Sequence, residues 1–276
     1  MKYPTACLFP TTTVLLDDEP DYLESLIDNI SAPQFKLKPF GSQDEVANYL
    51  NASFAKHELT ANWMKKTVSE DVFENTAFEI CYSKIERELD DQSRSQRVTT
   101  LVVDYEMPTK NGLEFIRSLD NIPVKKILLT GAADLNIAIN AVNDNLIDAY
   151  FKKEDENLLP KLTKKLNEYQ FDYFYEHSQL IKRSVNKIGG TPLVDSKDFQ
   201  NLFSRVLQGT TAVEYYLLDE NCSYIFLDQK GRQTKLLIKS KDQLECEYGR
   251  FHIPREICCG GLFPLDPDGE FFYEIK

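Results

Sequence analysis

Five short apolar runs, each followed by a stretch of helical spacing, constrain this chain more than any other feature. TTVLLD (12–17), FKLKPF (35–40), TTLVVD (99–104), KKILLTG (125–131) and IDAYFKK (147–153) read as strands. Between and after them lie PDYLESLIDNI (20–30), SQDEVANYL (42–50), NGLEFIRSL (111–119), LNIAINAVND (135–144) and LLPKLTKKLNEYQ (158–170). In the first of these Leu23, Leu26, Ile27 and Ile30 have helical spacing, and Pro20 suits a first helical turn. The alternation predicts an α/β architecture: a doubly wound, five-stranded parallel sheet. In such sheets the functional crevice lies beyond the carboxyl ends of the strands.

The residues at those ends carry the chemistry. Asp17 and Asp18 close the first strand and Asp104 the third. On neighbouring parallel strands their carboxylates converge, an arrangement that needs a cation. A hard, oxygen-liganded ion such as Mg²⁺ suits three carboxylates. The fourth strand supplies the Thr130 hydroxyl, able to hold a phosphoryl oxygen. The fifth supplies Lys153, whose charge balances a phosphate. Together they fit in-line phosphoryl transfer onto a carboxylate. Taken singly, each is an ordinary cap, turn or surface residue; their order at successive strand ends gives the pattern its meaning.

VLLDDEP, LVVDYEMPTKNGLEFI, ILLTGAAD and AYFKK resemble, in order, the conserved segments of two-component response-regulator receiver domains. The resemblance covers residues 11 to about 168, apart from an insertion, and implies a flavodoxin-like fold. It implies metal binding by Asp17, Asp18, Asp104 and the Glu106 backbone carbonyl. It makes Asp104 the phosphoacceptor, Lys153 the active-site lysine (Lys152 is a one-residue register alternative), and Thr130 and Tyr150 the switch pair. Met107-Pro108 and Gly112 match the loop after the acceptor. Glu154 departs from the family, which usually has proline there. The implied partners are a sensor histidine kinase or phosphotransfer protein and a downstream protein. An aspartyl-phosphate phosphatase of the haloacid-dehalogenase type would show DxDx[TV], and the position two after Asp104 is Glu106.

Residues 51–98 interrupt the alternation. TAFEICYSKIEREL (76–89) has helical spacing at Phe78, Cys81, Tyr82, Ile85 and Leu89, predicting a largely helical insertion; a disordered loop is the alternative. The expected organisation is a receiver over 11–168, a helical linker over 169–191 and a smaller, β-rich α+β domain over 192–276. That last region shows strand–turn–strand texture in VEYYLLDENCSYIFLDQKGRQTKLLIKS, FHIPREI and GEFFYEIK. SYIFLDQKGRQTKLLI resembles segments of PAS-like and other small sensory sheets. The region lacks GxxxxGK[ST], GxGxxG after a strand and HExxH. It reads as an interaction or dimerisation module, with an atypical enzymatic or ligand-binding output as the alternative; no enzyme activity is expected of the chain.

The 276 residues carry a net charge of −12, which disfavours nucleic acid and anionic lipid. The basic cluster of Lys161, Lys164 and Lys165 reads as a solvated helix face, and no recognition helix for duplex DNA is visible. Six scattered cysteines without CxxC spacing suit a reducing compartment. With no signal-peptide pattern and no apolar run of membrane-spanning length, a cytoplasmic protein is expected. Leu159, Leu162, Leu166, Tyr169, Tyr173 and Leu180 fall on a 3-4 spacing, and five aromatics crowd residues 169–175. The receiver's own sheet accounts for the leucines; the aromatics call for a second surface, for which a homodimer is expected.

Overall fold

The structure is a computed structural model describing residues 5–30, 32–54, 63–67, 77–119, 122–131, 135–248 and 262–276. In chain order the elements begin with β1 (Cys7–Leu8), β2 (Thr11–Leu16), α1 (Pro20–Asn29), β3 (Phe35–Phe40) and α2 (Gln43–Phe54). Next come β4 (Met64–Thr67), β5 (Ala77–Ile80), α3 (Tyr82–Glu86), β6 (Val98–Asp104), α4 (Gly112–Ser118), β7 (Lys125–Thr130), α5 (Leu135–Asn143) and β8 (Ala149–Lys152). The remainder comprises α6 (Leu158–Ser178), β9 (Lys187–Ile188), β10 (Thr191–Pro192), α7 (Lys197–Thr210), β11 (Glu214–Leu217), β12 (Tyr224–Leu227), β13 (Gln233–Ser240), α8 (Lys241–Tyr248), β14 (Phe263–Pro264) and β15 (Phe271–Ile275). They form two units: Phe9–Glu58 with Gln92–Tyr173, and Met1–Leu8 with Leu59–Asp91 and Phe174–Lys276.

The first unit is the expected doubly wound parallel sheet, in the order β3-β2-β6-β7-β8. Central strands β2 and β6 are buried at every residue, as continuous apolar and threonine-rich runs require. Edge strand β3 carries Lys36, Lys38 and Pro39, residues that suit an unpaired edge. Alternate residues serve opposite faces. Leu15, Val102, Ile127 and Leu129 meet Leu23 and Leu26 of α1 and Leu158, Leu162, Leu166 and Tyr169 of α6. Val14, Leu16, Leu101, Val103 and Leu128 meet Val46 and Leu50 of α2, Leu113 and Ile116 of α4, and Ala138 and Ala141 of α5. The 2.0 strand period and the 3.6 helix period thus meet in two apolar layers. Strand order reverses between β2 and β6, so the switch-point crevice opens where Asp17 and Asp104 stand.

The second unit is built on an antiparallel sheet, β1-β11-β12-β13-β15-β14. Against it Phe199 and Phe203 of α7 join Tyr215, Tyr224 and Phe226 in one aromatic cluster, with ring centroids 5.0–6.2 Å apart. Ser196 caps α7 by accepting from the Phe199 N–H, as a serine before an amphipathic run does.

Three features differ from the sequence reading. Within 51–98, the stretch read as one helix from 76 to 89 is strand β5, paired antiparallel with β4, and only then a helical turn at Tyr82–Glu86. Short apolar runs fit either period, and pairing with β4 decides this one. The described residues within 59–91 group with the second unit, where the Tyr82 hydroxyl donates to the Ser184 carbonyl at 2.8 Å. Cys7–Leu8 also belongs to that unit, pairing with Tyr216 and Tyr215. The strand read in FHIPREI lies outside the described residues. Helix α6 runs to Ser178, with Tyr169 and Phe174 buried and Phe171, Tyr173 and Tyr175 half-buried within the chain. Among the described residues no helix is long and apolar enough to cross a membrane.

Candidate functional site

The parallel register fixes the site. Leu16 pairs with Val103, so Asp17 leaves β2 beside Asp104 at the end of β6. Asp104 is level with Leu129, and Thr130 with Lys152, so the next strands end one step further along. Side-chain oxygens of Asp17, Asp18 and Asp104 all lie within 4.8 Å of one another; Asp17 and Asp104 are buried and Asp18 is exposed. The Lys153 ammonium sits between the two buried carboxylates, 2.9 Å from Asp17 Oδ2 and 2.9 Å from Asp104 Oδ1. Lys153, not its neighbour Lys152, fills this place. Its main-chain N–H donates to the Thr130 carbonyl at 3.0 Å, which anchors the start of its loop.

The loops are held by backbone bonds. The Asp17 N–H donates to Phe40 O, and Asp17 Oδ1 accepts from the Glu19 N–H at 2.9 Å. The Glu106 N–H donates to the Asp104 carboxylate. The Tyr105 N–H donates to Leu129 O, and the Gly112 N–H to Tyr105 O, both at 2.9 Å. Asn111 caps α4 in a capping box with Glu114, fixing the helix that follows the Asp104 loop. The Thr130 side chain is fully buried and its hydroxyl donates to Gly131 O at 3.3 Å. Tyr150 is half-buried against the α2–α5 layer, and the Glu106 carboxylate points to solvent near Gly131.

Burial raises the Asp104 carboxyl to about 6, against the hydrogen bond and charge of Lys153 and with the repulsion of Asp17. Burial opposes the Lys153 charge, but hydrogen bonds and attraction from Asp17 and Asp104 hold its ammonium above the ordinary lysine range. Sequence reasoning missed Tyr22. Its ring centroid lies 4.5 Å from the Lys153 nitrogen, and burial, opposed by Lys153, pushes its phenol up to about 12. A tyrosine on the third position of a helix gives no signal by itself; only the return of the fifth strand places it there.

The donor set fits a hard divalent ion: three carboxylates converge, and among the described residues Asp17 Oδ2 has no hydrogen-bond donor other than the Lys153 ammonium. A second concavity, of about 490 Å³, lies in the other unit, lined by Asp219, Asn221, Ser223, Leu237, Lys239 and Gln243.

Over 98% of its length the chain is similar to the response regulator LqsR of Legionella pneumophila, with 26% identity, a TM-score of 0.69 and 88% of that chain covered. A response regulator receiver domain protein from Clostridium thermocellum aligns with 59% of this chain and 96% of its own, at 15% identity and a TM-score of 0.37. An adenylate cyclase from Rhodopirellula baltica aligns with 63% of this chain and 99% of its own, at 20% identity and a TM-score of 0.40. No protein-family model matches the chain. No curated protein matches it either.

Proposed function

We propose that this chain, a response regulator with a receiver domain, accepts a phosphoryl group on Asp104 in a two-component phosphorelay. The observation that carries the reading is the Lys153 ammonium held 2.9 Å from both Asp17 and Asp104, beneath three converging carboxylates. An Asp104 oxygen attacks the phosphorus of a phosphohistidine or acyl phosphate. The P–N or P–O bond to the donor breaks, and the electron pair leaves with imidazole or carboxylate. Asp17 and Asp18, with the Asp104 carboxylate and the Glu106 carbonyl, would hold Mg²⁺, which supplies neutralisation of the phosphoryl oxygens. Lys153 turns from carboxylate partner to phosphoryl partner as charge gathers on the transferred group. Thr130 then donates to a phosphoryl oxygen in place of Gly131 O, and Tyr150 follows, shifting the population of the surface around β7 and β8.

The partners of this reading are a sensor histidine kinase or phosphotransfer protein upstream, a second copy of the chain as a homodimer, and a downstream protein, without sequence-specific DNA contact. Acetyl phosphate with Mg²⁺ is expected to add a phosphoryl mass to Asp104, and Asp104→Asn to abolish it. Label that persists in Asp104→Asn removes the assignment. Sedimentation velocity with and without beryllofluoride tests the homodimer; a monomer at tens of micromolar in both conditions removes it and leaves the α6 aromatics to contacts within the chain. A gel shift on duplex DNA with steep salt dependence would refute the absence of DNA binding.

The cavity of about 490 Å³ favours a second reading of the C-terminal unit, as a ligand-binding output. Asn221 and Ser223 are buried there and hydrogen-bonded to Gln243 and the Ile238 backbone. A thermal-shift screen of small polar molecules tests it, with Ser223→Trp filling the space. Stabilisation that survives Ser223→Trp, or none at all, discards it.

A further inference from the structure

We infer that Tyr22 is a positioning residue for phosphoryl transfer, its ring holding the Lys153 ammonium in place between Asp17 and Asp104. The inference rests on the phosphoacceptor reading of Asp104. Lys153 arrives on a long, flexible side chain from the loop after β8, and such a chain loses considerable rotamer freedom when fixed. Two of the groups that fix it are the buried carboxylates at 2.9 Å. Both would release it, in part, when the phosphoryl group arrives: Asp104 becomes an acyl phosphate, and Asp17 is one of the residues that would hold Mg²⁺. The third group keeps its hold. The Tyr22 ring lies 4.5 Å from the nitrogen and carries no net charge that phosphorylation would alter. It stands in the first turn of α1, whose Leu23 and Leu26 are packed into the sheet, so the ring is carried on a fixed element.

Among the described residues the buried Tyr22 hydroxyl oxygen has no hydrogen-bond partner. The phenol oxygen is therefore dispensable for the pairing and the ring face is the working part. This separates the variants: Phe keeps the ring, whereas Leu keeps only bulk.

The test is a cycle on the full chain, with acetyl phosphate and Mg²⁺ as probes and the rate of Asp104 labelling as readout. Tyr22→Phe is expected to label within about twofold of the wild type, and Tyr22→Leu roughly 3- to 30-fold more slowly, the span from an exposed to a desolvated cation–π contact. With Lys153→Gln as background, Tyr22→Leu is expected to change nothing further, because the group it positions is gone. Urea midpoints of the same four proteins read the pairing without phosphoryl transfer and are expected to be non-additive. Equal slowing by Tyr22→Leu with and without Lys153, or additive midpoints, overturns the inference and leaves Tyr22 a packing residue. A wild-type chain that takes no label on Asp104 overturns the phosphoacceptor reading and this inference with it.

Discussion

A Cβ added to Gly112 would lie 2.2 Å from the main-chain oxygen of Asp104 and 3.0 Å from Val103 Cγ1. The first residue of α4 thus rests directly on the backbone of the candidate acceptor, and only glycine permits that approach. Gly112→Ala is expected to push the acceptor loop off its carboxylate partners. Stability should fall by roughly 1–3 kcal/mol, as overpacking does, and Asp104 labelling should slow. Urea unfolding and labelling kinetics check both; an alanine variant with wild-type values in each would show that the loop yields freely.

Removing the ammonium is expected to hurt most when metal is absent. Lys153→Met leaves Asp17 and Asp104, each almost fully buried, facing one another without a cation. Loss of one partner from a buried ionic group costs about 3–5 kcal/mol. Mg²⁺ should restore more stability to Lys153→Met than it adds to the wild type, since the ion supplies the missing charge. Melting curves with chelator and with Mg²⁺ decide it, and an equal shift in the two proteins would count against a metal site among these carboxylates.

Asp104 predicts a pH dependence of defined sign. Its folded carboxyl titrates at about 6, above the ordinary aspartate value of about 3.9. Between those values the folded state holds a proton that the unfolded state has lost, so stability falls as pH rises through that window. The contribution is on the order of 3 kcal/mol and is absent in Asp104→Asn. In metal-free buffer, the stability of wild type relative to Asp104→Asn should therefore decline from about pH 4 to about pH 6.5. Mg²⁺, which favours the carboxylate, should flatten that decline; a constant difference without metal would contradict the buried setting of Asp104.

Deleting residues 1–8 is expected to damage the C-terminal sheet rather than the receiver. Cys7 and Leu8 pair with β11, Ala6 O accepts from the Leu217 N–H at 2.7 Å, and the Tyr224 hydroxyl donates to Thr5 O at 3.1 Å. Thr5 Oγ1 also lies 3.0 Å from the Tyr215 hydroxyl. Each hydroxyl left buried without a partner costs about 1–3 kcal/mol. Hydrogen exchange should quicken across 214–227 and stay unchanged across 98–104. Slow exchange retained in both would show the first strand to be dispensable.

The receiver was legible because its strands announce themselves twice. Runs such as TTLVVD are apolar enough to be buried on both faces, and their last residues, Asp104 among them, are chemically distinct. Strand order brought a lysine to the end of the last strand, and the geometry chose Lys153 over Lys152. Tyr22 could not, since its partner lies 131 residues away in the chain and no local pattern links a helical tyrosine to a loop lysine. Nor could the hairpin of β4 and β5: AFEI fits helix and strand alike, and long-range pairing settled it. The two residues of β1 are too few to show any period, so the discontinuous make-up of the second unit stayed hidden.

The pairing of Cys7 with Tyr216 spans 209 positions. A ribosome adding about 5–20 residues per second needs roughly 10–40 s to cover that distance, far longer than a hairpin takes to close. The receiver strands are all synthesised in that interval, while the apolar ACLF segment emerges before them and waits for a partner not yet translated. Birth order and assembly order are therefore inverted at this edge. Nascent chains stalled before β11 should leave that segment open to chaperones, and the sheet can close on it only after Tyr216 has left the exit tunnel.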